Sequence, residues 1–99
     1  MKPAIRHEDA EVELAEVLEY YATRRKGLDG EFLREFEAAL VKIRENPLQF
    51  AADMDGVRLC PFRRFPYAVV YVEYDEILWV LAVAHQHRRP RYWDRRRLS

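Results

Sequence analysis

The run Ile77-Leu-Trp-Val-Leu-Ala-Val-Ala84 contains no polar side chain. It is far shorter than the roughly 20 apolar residues a membrane-spanning helix needs. Asp75-Glu76 before it reads as a tight turn, and the polar His85-Gln86-His87 follows it. A short run bounded in this way reads as a strand, not a helix. A strand that is apolar on both sides of its pleat must be buried on both faces of its sheet.

The segments before it supply the rest of that sheet. Tyr67 to Tyr74 is β-branched and aromatic, as strands prefer. Val57 to Cys60 has the same period and is broken or bulged at Pro61. Upstream of the Asp55-Gly56 turn the period is helical. Ala10, Leu14, Val17, Leu18 and Tyr21 make one apolar stripe within Glu8–Lys26. Leu28, Phe32, Phe36, Ala39, Leu40 and Ile43 make a second within Leu28–Glu45. Acidic residues crowd the first turns of the first helix. Arg24, Arg25 and Lys26 close it, with Gly27 as a left-handed stop. His7 is a poor N-cap, Asp29 a plausible one for the second helix, and Asn46-Pro47 ends that helix. Tyr20, Tyr21, Phe32 and Phe36 are expected in the core. Pro3-Ala4-Ile5 reads as a brief edge strand.

The predicted fold is α+β: a short N-terminal strand, then an antiparallel helical hairpin packed on a small, mainly antiparallel sheet. At 99 residues one domain spanning 1–99 is expected, with a basic C-terminal tail over 86–99.

Charge is split along the chain. The 17 Lys+Arg balance the 17 Asp+Glu, yet residues 1–56 carry 8 basic against 13 acidic side chains and residues 57–99 carry 9 against 4. A neutral total excludes a uniformly basic polyanion binder but leaves room for one cationic face. The single Cys60 excludes a disulfide framework and a cysteine-based zinc site. The N-terminus has no apolar signal-peptide core, so a cytoplasmic protein is expected. No phosphate-loop, dinucleotide, nucleophile-elbow or zincin motif is present.

The chemistry-bearing residues gather where the last strand emerges. His85, His87 and Tyr92 are proton-transfer types, and Arg88 is a cation able to hold developing phosphate charge. They are the catalytic candidates. Arg63, Arg64, Arg88, Arg89, Arg91 and Trp93 are the candidates for binding a target or phosphate, through guanidinium forks and an aromatic face. Tyr92 and Trp93 read equally as anchors pinning the tail to the helices. Arg63 and Arg64 either extend the basic patch or pair with the acidic helices. His85 and His87 lack a third ligand nearby, so no metal and no cofactor is expected.

At these residues the sequence resembles the RelE/ParE superfamily of toxins from bacterial type II toxin–antitoxin modules, also called plasmid stabilisation proteins. The resemblance rests on Ala10-Glu11-Val12-Glu13-Leu14 with Tyr20-Tyr21, on Gly27-Leu28 with Phe32, and on Ile43-Arg44-Glu45-Asn46-Pro47. Its most specific pieces are Arg64-Phe65-Pro66-Tyr67-Ala68-Val69-Val70-Tyr71 and Val80-Leu81-Ala82-Val83-Ala84-His85, then Arg88, Pro90, Tyr92 and Trp93. It implies a cytoplasmic bacterial toxin neutralised by a cognate antitoxin that wraps around it. RelE-like members are endoribonucleases that cut mRNA in the ribosome, whereas ParE-like members poison DNA gyrase. Tyr92 falls where the nuclease branch has its C-terminal Tyr. The strand Arg of that branch is Ala68 here, its basic pair falls near Leu59 and Pro61, and its later Arg falls near Gln86. The ParE-like branch is the closer one. The expected function is therefore a gyrase-binding toxin. The alternatives are a ribosome-dependent mRNA endoribonuclease and a degenerate toxin that retains only antitoxin binding.

Overall fold

The computed structural model describes residues 1–98. Two helices, α1 (Glu8–Ala22) and α2 (Leu28–Glu45), pack on a four-stranded mixed sheet. The strands are β1 (Ala4–Arg6), β2 (Val57–Pro61), β3 (Tyr67–Glu73) and β4 (Leu78–His85), in spatial order β1-β4-β3-β2. β1 runs parallel to β4, while β3 is antiparallel to both β4 and β2. The α+β class, the helical hairpin and the mainly antiparallel sheet all match the reading of the sequence.

The helix ends differ from expectation in instructive ways. α1 stops at Ala22, because Thr23 donates both its N–H and its hydroxyl to the Tyr20 carbonyl. A hydroxyl so placed competes with the helical ladder. Arg24 to Lys26 therefore form a turn outside the helix. Gly27 is left-handed at φ 85, as its position suggests, but it caps α2 and puts Asp29 inside the first turn. There the carboxylate favours the helix dipole without capping. His7 does cap α1: its Nδ1 accepts the Asp9 N–H at 2.9 Å. Pro61 completes β2 instead of breaking it. β2 is the outer strand, and Phe62 N–H bonds the Tyr67 carbonyl at 2.8 Å, so the Pro61 nitrogen faces away from the ladder.

The core lies between the helices and one face of the sheet. Leu14, Val17, Phe32, Phe36 and Ile43 pack there against Val69, Tyr71, Val80 and Val83. Phe32 and Phe36 are core as expected, Tyr21 packs at its margin, and Tyr20 is half exposed. Tyr71 is fully buried and donates its hydroxyl to the Pro47 carbonyl at 2.7 Å. Burial pushes its phenol up to about 12.

β4 is buried on both faces, and the second face has its own cluster. Val57, Val70, Val72, Leu81, Ala82 and Ala84 pack there with Trp93, flanked by Tyr74, Trp79 and Tyr92. The cover on this side is thus the C-terminal segment itself. Trp93 anchors the tail to the sheet face opposite the helices, not to the helices. The pairing shifts by one residue between Val70 and Tyr71, opposite Ala82 and Val80, which leaves Leu81 as an extra residue in β4.

Candidate functional site

The tail begins at the end of β4. His85 is the last strand residue, and the chain turns so that His87 donates its N–H to His85 Nδ1 at 3.0 Å. The two rings lie 5.2 Å apart, and His85 also meets the Tyr67 ring edge-on at 4.9 Å. The acceptor role of His85 Nδ1 leaves its proton on Nε2 when the ring is neutral. These two imidazoles are brought together by a turn, not by strand alternation.

Tyr92 sits apart from them in use, because its phenol faces α1. Burial, then the negative charge of Glu13 and a hydrogen bond to it, hold the Tyr92 hydroxyl well above the ordinary phenol range. Glu13 is the hub of a larger arrangement. Its Oε1 accepts the Val83 N–H at 3.1 Å and pairs with Arg96 Nη1 at 3.0 Å. Arg96 Nη1 in turn donates to the Leu81 carbonyl at 3.0 Å. β1 pairs with β4 only over Leu78–Val80, so the edge of β4 at Leu81 and Val83 would otherwise lack partners. Two side chains take the place of the missing strand, one from a helix and one from the tail. Trp79 Nε1 closes the arrangement on the Arg96 carbonyl at 2.7 Å.

Arg91 ties the tail at a second point. Its guanidinium meets Asp53 at 2.8 Å, Asp55 at 2.7 Å and Asp94 at 3.0 Å. Its backbone is left-handed at φ 64, a conformation that costs on the order of 1 kcal/mol or more in a non-glycine residue. Asp53 also accepts the Asp55 and Val57 N–H groups. These bonds and the Arg91 guanidinium hold its carboxyl below the ordinary range.

The predicted target-binding residues therefore separate. Arg91 is spent on carboxylates, and Trp93 is only 8% exposed. Arg88 lies over the Tyr92 ring at 4.3 Å. Arg88, Arg89 and Arg95 have no carboxylate partner among the described residues. Arg64 pairs with Glu31 at 3.2 Å and Glu35 at 3.6 Å, so it neutralises α2. Glu35 also accepts the backbone N–H groups of Arg63 and Arg64, fixing the turn into β3. The Arg63 side chain has no carboxylate partner among the described residues. The sequence reading missed Glu13, Arg96 and Asp53. Acidic residues on an exposed-looking helix and an arginine in a basic run carry no local signal of a distant partner.

Beside that turn lies a groove of about 600 Å³ between α2 and β2. Ala39, Cys60 and Phe62 give it an apolar lining, and Arg34, Lys42 and Arg63 stand around it with Glu31 and Glu35, the two carboxylates that Arg64 meets. Burial raises the Cys60 thiol, leaving it a small apolar side chain. Among the described residues no cluster of three or more His, Cys, Asp or Glu is placed to hold a metal ion.

A model of the ParE toxin of type II toxin–antitoxin systems, parDE, matches residues 5–90. The chain belongs to the ParE toxin family. None of the curated proteins matches it. The matched span takes in both helices, β2, β3 and β4, and β1 from Ile5 of this ParE-family toxin, and the superfamily resemblance of its sequence is thereby shown. Membership implies a cognate antitoxin as partner. The span ends at Pro90, so Arg91, Trp93 and Arg96 lie beyond it. Among the described residues no helix is long and apolar enough to cross a membrane.

Proposed function

We propose that this ParE-family toxin arrests growth by binding DNA gyrase, without cutting RNA, and that its antitoxin docks in the α2–β2 groove. The observation that carries the first part is the setting of Tyr92. The residue that stands where superfamily nucleases place a Tyr has its ring covered by Arg88 at 4.3 Å and Arg96 at 5.2 Å, and burial and the Glu13 charge hold its phenol above the ordinary range. A phenol held there is a poor proton donor for a phosphate ester. Leu59, Pro61 and Ala68 add no charge on β2 and β3. The groove supports the second part: an apolar lining with Arg34, Lys42 and Arg63 beside it, none with a carboxylate partner among the described residues, suits an acidic amphipathic segment.

Induction of the chain alone in a bacterial host tests the first part. Filamentation, SOS induction and trapped gyrase–DNA complexes are expected, with Tyr92→Phe as toxic as the parent. Prompt translational arrest with cleaved ribosome-bound mRNA overturns it in favour of the nuclease. No growth effect with antitoxin binding intact makes the chain a degenerate toxin. For the groove, Arg34→Glu with Lys42→Glu should leave toxicity in place and weaken neutralisation by the antitoxin. Full neutralisation of that variant removes the groove as the docking site.

A further inference from the structure

We propose that Arg88, Arg89 and Arg95 form a binding site for the phosphodiester backbone of nucleic acid. This goes beyond the toxin reading and does not depend on the gyrase target. Six guanidiniums follow β4, and the structure sorts them by use. Arg91 and Arg96 are neutralised by carboxylates, and Arg97 donates to the Asp55 carbonyl at 2.6 Å. Arg88, Arg89 and Arg95 meet no carboxylate among the described residues.

Two of the three line one depression, and the third stacks on a ring that lines it. Arg89 and Arg95 line a cavity of about 330 Å³ with Arg91, Tyr92 and Asp94, and Arg88 stacks on the Tyr92 ring at its side. The one carboxylate in that lining, Asp94, is already bonded to Arg91 at 3.0 Å. The backbone from Arg91 onward is tied down: Trp93 is buried, Arg91 is clamped, and the short 3-10 helix Asp94–Arg96 carries Arg95 directly after them. An anion that binds here need not order that stretch of chain.

The chemistry of the patch selects the partner. A stable protein contact centres on an apolar anchor, and an amphipathic membrane anchor buries an apolar face. Here Trp93 faces inward, and the Tyr92 ring lies beneath the guanidiniums of Arg88 and Arg96. What remains is charge alone. Densely spaced phosphates bind such a surface by releasing counterions, without an apolar contact. Arg forks match phosphate oxygens in pairs.

The full chain, made by cell-free synthesis, is titrated against a fluorescent DNA duplex and a fluorescent single strand by anisotropy. Three phosphate contacts predict a log–log salt slope of about −2.7 on duplex, so affinity falls roughly 40-fold between about 50 and about 200 mM salt. Replacing all three residues, Arg88→Gln with Arg89→Gln and Arg95→Gln, should reduce affinity at least about tenfold and flatten the slope towards zero. Lys26→Gln, on the turn between α1 and α2, should change neither. If the triple variant fails to fold, Arg95→Gln alone should lower the slope by about one. Absence of salt-sensitive binding overturns the proposal. So does a triple variant that folds and binds as the parent does, and so does binding to phosphatidylserine vesicles with none to either nucleic acid.

Discussion

The two faces of the sheet are covered by different kinds of structure. On one face lie two helices, whose apolar stripes at Leu14, Val17, Phe32, Phe36 and Ile43 meet Val69, Tyr71 and Val83. On the other lies an irregular segment whose buried contribution is a single indole, Trp93, over Val57, Val70, Val72 and Ala84. A helix satisfies its own backbone, so its cover needs only an apolar stripe. The tail cannot do this. It takes its order from outside itself: Arg96 from Glu13 and Leu81, Arg91 from Asp53 and Asp55, and Trp79 through the Arg96 carbonyl. The helix face is held by apolar area and the tail face by one side chain and a few polar ties. The tail should therefore be the easier of the two to undo.

Deleting the chain from Arg91 onward is the harshest trial of that contrast. It strips the cover from Val57, Val70, Val72 and Ala84 together, and we expect the truncated protein to lose its cooperative unfolding transition in circular dichroism. A loss of toxicity after such a truncation would then report a lost fold, not a lost contact. A truncated chain that melts like the parent would break the comparison outright. Next comes Trp93→Ala. It should cost about 3–5 kcal/mol in urea unfolding, comparable to Phe36→Ala on the helix face. A cost near zero would make the tail a bystander.

Glu13→Ala comes third. It leaves the Val83 N–H without its acceptor and Arg96 without its closest carboxylate, in a partly buried setting, and about 2–4 kcal/mol is the expected loss. Unchanged stability would show that the edge of β4 needs no side-chain partner. A smaller effect should come from pH. The Asp53 carboxyl is held below its ordinary value in the folded chain, so the stability it contributes is present above its unfolded pKa of about 4 and is lost as pH falls through the lower folded value. Thermal midpoints should therefore drop below about pH 4, and Arg91→Ala should flatten that drop. The same fall in both proteins would discharge Arg91 from the effect. The smallest change is Trp93→Phe. The Trp93 indole N–H is buried with no acceptor among the described residues, so its removal offsets much of the lost area. A loss as large as that of Trp93→Ala would point to an acceptor for that N–H.

Much of this was readable from local pattern. The stripe from Ala10 to Tyr21 and that from Leu28 to Ile43 place both helices, and the apolar run through Trp79 and Leu81 places a strand with no solvent face. Gly27 is left-handed as its neighbours suggest. Boundaries were less readable, because they depend on single hydrogen bonds: the Thr23 hydroxyl on Tyr20, and the His7 ring on Asp9. The candidate site was readable in composition only. The concentration of arginine after His85 is plain, but which guanidiniums are spent is not. Arg96 and Glu13 lie far apart in the chain, and no spacing rule links them.

The sequence alone determines the layers and the demand for two covers, because periodicity is a local property that each segment carries by itself. It also determines the ParE-family membership, through motifs spread from the first helix to the last strand. The tertiary structure decides what the second cover is and which charges remain. Both depend on contacts across the chain: an indole clustered with apolar side chains from three strands, and carboxylates from a helix and a turn meeting two of six nearby arginines. A guanidinium is neutralised by whatever stands within a few ångströms of it, and that distance exists only once the chain is folded.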